Sequence, residues 1–303
     1  MKKILITGAN GNIGSELQKK LQGDITLLDM DVIDYNTDHN QFILNLANKE
    51  KTLNFFKENN FDIVIHLAAI SRVEDAQKNP EIALKYNVKA TENILNSILE
   101  TNQKPHFIFS SSREVYGDLK TEYCFYENSK CNPQNIYGKS KLNAEIIIEK
   151  HKNKFPITIL RLANVYGGVK DNKNRFIPQL LNSINENSHF KLNGQGKHLD
   201  FVHIDDVIEI ISKFSTTETN DNHFSIYNIA SGKTQCLDSI IRKFINNDLC
   251  IITNPKNYEV QNTAINNNKI CDLFNYSFKS FESELEKLIN SKKIKQTLNG
   301  EIV

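Results

Sequence analysis

Short apolar runs recur along the first half of the chain, each ending on a small or polar residue. Lys3-Ile4-Leu5-Ile6-Thr7 stops at Gly8, Ile25-Thr26-Leu27-Leu28 at Asp29, and Asp62-Ile63-Val64-Ile65-His66-Leu67 at Ala68-Ala69. His106-Phe107-Ile108-Phe109 leads into Ser110–Ser112, and Ile157-Thr158-Ile159-Leu160-Arg161-Leu162 follows later. Runs this short and this uniformly apolar predict strands buried on both faces. Between them lie stretches of helical character. These are Ser15 to Leu21, an amphipathic segment around Leu53–Phe56 within the polar stretch 34–60, residues 80–100 with Pro80 near the first turn, and Tyr137–Lys150. Strands alternating with helices predict an α/β fold, a doubly wound parallel sheet covered on both faces.

Past Gly167 the regularity falls. Gly194-Gln195-Gly196 marks a turn and Phe201-Val202-His203-Ile204 a strand, after which Asp205-Asp206 is expected to cap a helix near Val207–Phe214. Ile226-Tyr227-Asn228-Ile229 is one more short strand, and the tail near 277–292 is an amphipathic helix. Without internal repeats or a long linker, the chain divides into an α/β body over 1–167 and a smaller C-terminal α+β part over 168–303. The segment near 201–230 is expected to return to the body.

The first strand opens into Gly8-Ala9-Asn10-Gly11-Asn12-Ile13-Gly14 and then a helix. Glycines at this spacing, between a strand and a helix, point to dinucleotide binding in a Rossmann body. Gly8 permits the tight turn, Gly11 lets backbone approach a pyrophosphate, and Gly14 lets helix and strand pack closely. The helix N-terminus offers amide donors and partial positive charge. Asp29 ends the second strand about twenty residues on, where a carboxylate accepts both ribose hydroxyls. An anion there repels a 2′-phosphate, and neither Arg nor Lys occurs between Met30 and Tyr35, so the expected cofactor is NAD rather than NADP.

Ser112 ends a hydroxyl-rich strand, and Tyr137 and Lys141 stand four positions apart, on one helix face. An ammonium beside a phenol of ordinary pKa ~10 favours its anion, which makes a base. Ser112 adds a hydrogen bond to the same substrate oxygen. This is apparatus for moving a proton on and off a carbinol while hydride leaves its carbon. Tyr-x-x-x-Lys alone is common on solvated helix faces, so the context decides.

Composition narrows the classes. A formal charge of +1 over 303 residues gives no field for nucleic acid or an anionic membrane. No apolar run is long enough to span a bilayer, and no leader precedes the first strand, so a cytoplasmic location is expected. Five scattered cysteines read as reduced thiols, and the eight scattered histidines give no metal site. His66 is expected to be a satisfied core histidine.

The chain resembles the extended short-chain dehydrogenase/reductases, in particular the nucleotide-sugar epimerases and dehydratases. The matching blocks are TGANGNIGSEL, DIVIHLAA, NVKATENIL, FIFSSSREVYG, IYGKSKLNAE, LRLANVYG and LDFVHIDDV, in the family's order across nearly the whole chain. The resemblance implies NAD as cofactor and Ser112, Tyr137 and Lys141 as the catalytic set. It places Asn10, Gly11, Asn12, Ile13 and Gly14, the loop Leu67, Ala68 and Ala69, and Leu46 along the cofactor. It makes Asn87 a buttress of the active-site helix and puts Asn164 on the sugar nucleotide. It also implies a homodimer through paired helices, a face that Ala144, Ile147 and Ile148 could serve.

Three departures bear on the reaction. The dehydratases carry an Asp and a Glu at the strand end that expel water; here the Asp position is Arg113, with Glu114 retained. A guanidinium cannot donate a proton to leaving hydroxide at neutral pH, so dehydration is disfavoured, and Glu114 stands as a candidate base. Relatives read Arg-Asp-Phe after the Gly-x-Gly turn, whereas this chain reads Leu199-Asp200-Phe201. Phosphate contacts must then come from elsewhere, with Arg175, Lys197 and His198 as candidates. The acidic residue near the adenine is replaced by Asn45. The expected reaction is NAD-dependent epimerisation of a nucleotide sugar at C4 through a transient keto-sugar. The alternatives are a nucleotide-sugar 4-dehydrogenase or ketosugar reductase, and a non-catalytic NAD(H) sensor.

Overall fold

The computed structural model describes residues 1–33, 38–120, 123–218, 223–245 and 249–300, with side chains to 291. Part of the polar stretch 34–60 and Tyr35 lie outside the described residues. Strands β1 (Lys3–Thr7), β2 (Asp24–Asp29), β3 (Asn40–Ile43), β4 (Ile63–His66), β5 (His106–Ser112) and β6 (Ile157–Leu162) belong to one sheet. The smaller part adds β7 (Asn164–Tyr166), β8 (Phe190–Asn193) and β9 (His198–His203). Then β10 (Phe224–Ile229) returns to the large sheet, and β11 (Thr234–Cys236) and β12 (Cys250–Thr253) pair with β9 and β8.

The seven-stranded sheet runs β10-β6-β5-β4-β1-β2-β3, every neighbour parallel. The order reverses beside β1, and in such sheets ligands bind at that crevice, outside the carboxyl ends of the strands. The strands found in the sequence hold because they are apolar on both faces: Ile63–His66 and Ile157–Leu162 are wholly buried. Strand β3 lies within the stretch that reads only as polar. All four of its residues are exposed, so it carries no burial pattern; pairing with β2 holds it at the sheet edge.

Helices cover both faces. On one lie α1 (Asn12–Lys20) and, from later in the chain, a helix over Ile204–Thr216, around a core that includes Ile6, Leu17, Ile65 and Ile211. On the other lie α2 (Lys49–Glu58), the helices over 73–100 and α6 over Ile136–Glu149, around Leu5, Phe56, Ile94, Phe107 and Ile148. The expected helix over 80–100 is three pieces. They are preceded by α3 (Val73–Lys78) and comprise α4 (Pro80–Leu84), a π-turn at Lys85–Lys89, and α5 (Ala90–Glu100). π-Bulges are rare and cluster at functional sites; this one carries Asn87.

In the C-terminal part, α7 (Phe176–Glu186), α9 (Leu237–Phe244) and α11 (Phe281–Gly300) pack with β8 and β9 around Phe190, Phe201, Ile241 and Leu285. Asp205 and Asp206 do not cap the helix over Ile204–Thr216, here α8. His203 is its N-cap, accepting at Nδ1 from the Asp205 amide. Asp206 instead accepts from the Tyr276 hydroxyl and the Lys279 amide, tying α8 to the chain after α10 (Asn268–Phe274). No described helix is long and apolar enough to cross a membrane.

Candidate active site

The carboxyl ends of β1, β2, β4, β5 and β6 open into a cavity of about 770 Å³ that runs on to Arg175 and Leu199 in the C-terminal part. At its floor, Gly8 adopts φ +71°, and a Cβ there would stand 2.6 Å from the Ala68 amide nitrogen. Only glycine lets the β1 turn and the loop after β4 approach this closely. Helix α1 starts at Gly11 without a side-chain cap, which leaves its first-turn amides for a ligand. Asn10, Asn12, Ile13 and Gly14 line the same wall.

Asp29 is fixed at the end of β2: Oδ2 accepts from the Asn10 amide at 2.8 Å and Oδ1 from the Met30 amide at 2.7 Å. Leu67, Ala68 and Ala69 form the opposite edge, and Asn45 and Leu46 line the far end. A glycine turn pressed on the next loop, uncapped helix amides and a positioned carboxylate fit a dinucleotide. Asn87 does not line the cavity. It is 1% exposed and binds the Ile70 backbone from both sides, accepting at 2.7 Å and donating at 3.1 Å, while Nδ2 also donates to Ser140 Oγ at 2.8 Å.

Ser112, Tyr137 and Lys141 converge midway along the cavity. Ser112 Oγ accepts from the Glu114 amide at 3.2 Å and hydrogen-bonds the Tyr137 phenol. Burial pushes that phenol up to about 12; the largest relief comes from the Ser112 hydrogen bond, then the Arg175 guanidinium. The leading help is therefore not the Lys141 ammonium that helical spacing suggested. Lys141 is 1% exposed, donates from Nζ to the Ser110 carbonyl at 2.8 Å, and lies 4.7 Å over the Phe109 ring centroid. Burial draws it down to about 7, against an upward pull from Glu145. Glu145 itself is held by the Arg161 guanidinium at 2.7 Å and by the Ser111 hydroxyl.

Next to Ser112 sits a buried ion pair, Arg113 Nη2 to Glu114 Oε1 at 2.7 Å. Arg113 also donates to Asn164 Oδ1 at 3.2 Å, and Asn135 Nδ2 donates to Glu114 Oε2 at 2.6 Å. Both Glu114 oxygens are thus engaged. Asn135 also caps α6, accepting from the Gly138 amide at 2.8 Å beside Tyr137. Sequence reasoning passed over Asn135. An Asn two residues before the Tyr is its only local signal, because Glu114 is 21 positions away.

Asn164 and Arg175 line the cavity. Arg175 is also held by the Val165 carbonyl at 3.0 Å and lies 3.8 Å from Asp171. His198 does not reach the cavity. It is exposed, its Nδ1 taken by the Gly196 carbonyl at 2.8 Å, because strand alternation turns His198 out where Leu199 turns in. Lys197 pairs with Glu259 at 3.0 Å. His66 is a core histidine: it is fully buried, with Thr7 Oγ1 at 2.7 Å on Nδ1 and Thr91 Oγ1 at 3.0 Å on Nε2. Of the residues expected on a dimer face, Ala144 and Ile148 are fully buried in the core.

Known proteins share this frame. The chain is 30% identical over 275 residues to a dTDP-D-glucose 4,6-dehydratase of Dictyostelium discoideum, covering 81% of this chain and 62% of that protein. It is thus aligned to less than two thirds of that relative's length. A UDP-glucose 4-epimerase of Pisum sativum is 27% identical, covering 80% of each. The solved UDP-glucose 4-epimerase of Thermotoga maritima with UDP-glucose superposes with a TM-score of 0.85 at 22% identity, covering 98% of this chain and 99% of that one. The first two relatives catalyse different reactions, and the third likeness speaks for the fold. Residues 4–230 match the model of the NAD dependent epimerase/dehydratase family, and with its Rossmann sheet and dinucleotide-fitting cavity the chain belongs to that NAD-dependent family.

Proposed function

We propose that the protein is an NAD-dependent nucleotide-sugar epimerase that inverts the C4 hydroxyl through a transient keto-sugar. The observation that carries this reading is the Arg113–Glu114 pair beside Ser112 and Tyr137. Dehydration needs a proton donor for the departing hydroxide and a free base. Here a guanidinium stands at the donor's place, and Glu114 is held by Arg113 and Asn135. What remains is a hydroxyl and a phenol suited to one oxygen.

Bound NAD supplies an acceptor, and then a donor, of hydride at its nicotinamide ring. The helix α1 amides and Asp29 hold the pyrophosphate and a ribose. Tyr137 Oη takes the proton of the C4 hydroxyl, and Ser112 Oγ stabilises the same oxygen as it becomes a carbonyl. Lys141, seated on the Ser110 carbonyl, holds the nicotinamide ribose. Return of the proton from Tyr137 after the sugar has turned over gives the isomer. Arg175 and Asn164 are the contacts for the nucleotide sugar. A homodimer would cover the exposed Leu99 and Ile146 on α5 and α6.

The test is to denature the purified protein, identify the nucleotide released, and incubate native protein with UDP-glucose, UDP-galactose and the dTDP sugars without added cofactor. Retained NAD and isomer formation support the reading. Release of a keto-sugar, or oxidation dependent on added NAD, would replace it with a dehydratase or dehydrogenase.

A further inference from the structure

Residues 167–175 join β7 to α7 with no helix or strand of their own. They lead into the C-terminal part, yet they are tied back to the glycine turn and to α1. Asn12 Nδ2 donates to the Gly167 carbonyl at 2.9 Å, and the Val169 amide reaches Glu16 Oε1 at 3.5 Å. Lys170 Nζ donates to the Asn10 carbonyl at 3.2 Å and to Asn10 Oδ1. Lys170, Asp171, Asn172, Asn174 and Arg175 line the same cavity as Asn10. A dinucleotide laid on the glycine turn therefore has this segment as a neighbouring wall, and the Lys170–Asn10 bridge joins the two.

The segment is built to lift as one piece. Gly167 and Gly168 have φ +89° and +85°, a left-handed backbone that a β-carbon disfavours. Asp171 Oδ2 closes the turn by accepting from the Gly167 amide at 3.1 Å. Its seat on α1 carries a cost. A Cβ on Gly168 would stand 2.5 Å from Asn12 Oδ1, and that oxygen is buried beneath it with no hydrogen-bond partner. Lifting the segment returns it to water. Gly168, Val169 and Lys170 are exposed, Val169 by 78%, so no apolar burial holds this stretch down. A few polar contacts do, each weak in water. Glycine-hinged loops of this kind open and close over active sites.

We propose that residues 167–175 are a strap that gates the exchange of NAD, with Lys170 on Asn10 as its pin. The inference concerns the cofactor and holds whichever sugar reaction follows. A pin that stands closed with or without cofactor favours neither state, so it slows entry and exit together and leaves affinity nearly unchanged. A direct contact between Lys170 and the cofactor would instead slow exit alone.

Stopped-flow NADH fluorescence measures both rates. Exit is read by chasing NADH-loaded protein with excess NAD, and entry by mixing NADH with protein stripped of nucleotide on charcoal. In Lys170→Ala both are expected to accelerate by about fivefold or more, with Kd within about threefold of wild type. Lys170 is exposed, so the variant should fold as wild type does, which its urea midpoint checks. Lys173→Ala is the control for lost charge: Lys173 is exposed on the same segment and outside the cavity lining, and both rates should stay within about twofold. Unchanged rates in Lys170→Ala overturn the gate and make the bridge a fixed surface contact. Faster exit with unchanged or slower entry also overturns it, and makes Lys170 a direct contact for the cofactor. Equal acceleration in Lys173→Ala overturns the pin and assigns the effect to charge.

Discussion

Asn87 Nδ2 donates to the Ser140 hydroxyl at 2.8 Å, joining the loop after β4 to the helix that carries Tyr137 and Lys141. The same side chain holds the Ile70 amide and carbonyl. One residue thus sets the spacing between the loop after β4 and the helix face that carries Tyr137 and Lys141, and the π-turn aims it there. Asn87→Ala strands these groups in a buried site and is expected to cost about 2–3 kcal/mol of stability. It should also weaken NAD binding, although Asn87 lines no part of the cavity. Urea midpoints and NAD titration check this; a variant unchanged in both would show that the bridge holds nothing.

Tyr137→Phe removes the proton acceptor and leaves the ring in place. Turnover should fall by at least about two orders of magnitude, with NAD affinity within about twofold of wild type. Because burial holds the phenol near 12, wild-type turnover should rise with pH across the neutral range as more phenolate forms. A flat pH profile in single-turnover assays would assign the proton to another group.

Asp29→Ala removes the carboxylate that Asn10 and Met30 fix at the end of β2. Binding of NAD should weaken by roughly tenfold or more while binding of NADP weakens less or improves, because the anion that repels a 2′-phosphate has gone. Equal losses for both cofactors, read by fluorescence titration, would take Asp29 out of the ribose site.

Two buried histidines should make the fold acid-labile. Burial holds His66 at about 3 and His106 at about 4, both below the ordinary 6.5. The unfolded chain therefore binds more protons than the folded one below 6.5, and stability falls as pH drops from there towards the folded values. At pH 5 each costs about 2 kcal/mol relative to pH 7.5. Urea unfolding of wild type and His66→Gln at both pH values checks this. The variant should lose less on acidification, and an identical pH slope would refute the assignment.

Much of the sheet and the glycine turn after β1 could be read from the chain because their signals are local. A strand buried on both faces must be a contiguous apolar run, as Ile63–His66 and Ile157–Leu162 are. A turn with φ +71° against a neighbouring loop needs glycine, as at Gly8. Tyr137 and Lys141 share a face because the helix repeats every 3.6 residues. The sequence by itself thus determined the fold class, the glycine turn after β1 and the shared helix face of Tyr137 and Lys141.

Tertiary structure decided the rest. Strand β3 has no apolar pattern and exists through its pairing with β2. His198 turned away and Leu199 turned in because the register of β9 sets which face meets the cavity. Glu114 met Asn135 across 21 positions, and Asn87 met Ser140 across 53. The phenol's charge environment came from Arg175 and Arg113 ahead of the neighbouring lysine. Local spacing records which side chains one helix or strand presents together. Which distant side chains share a buried space, and hence which charges and donors stay unpaired, follows only from how the elements pack.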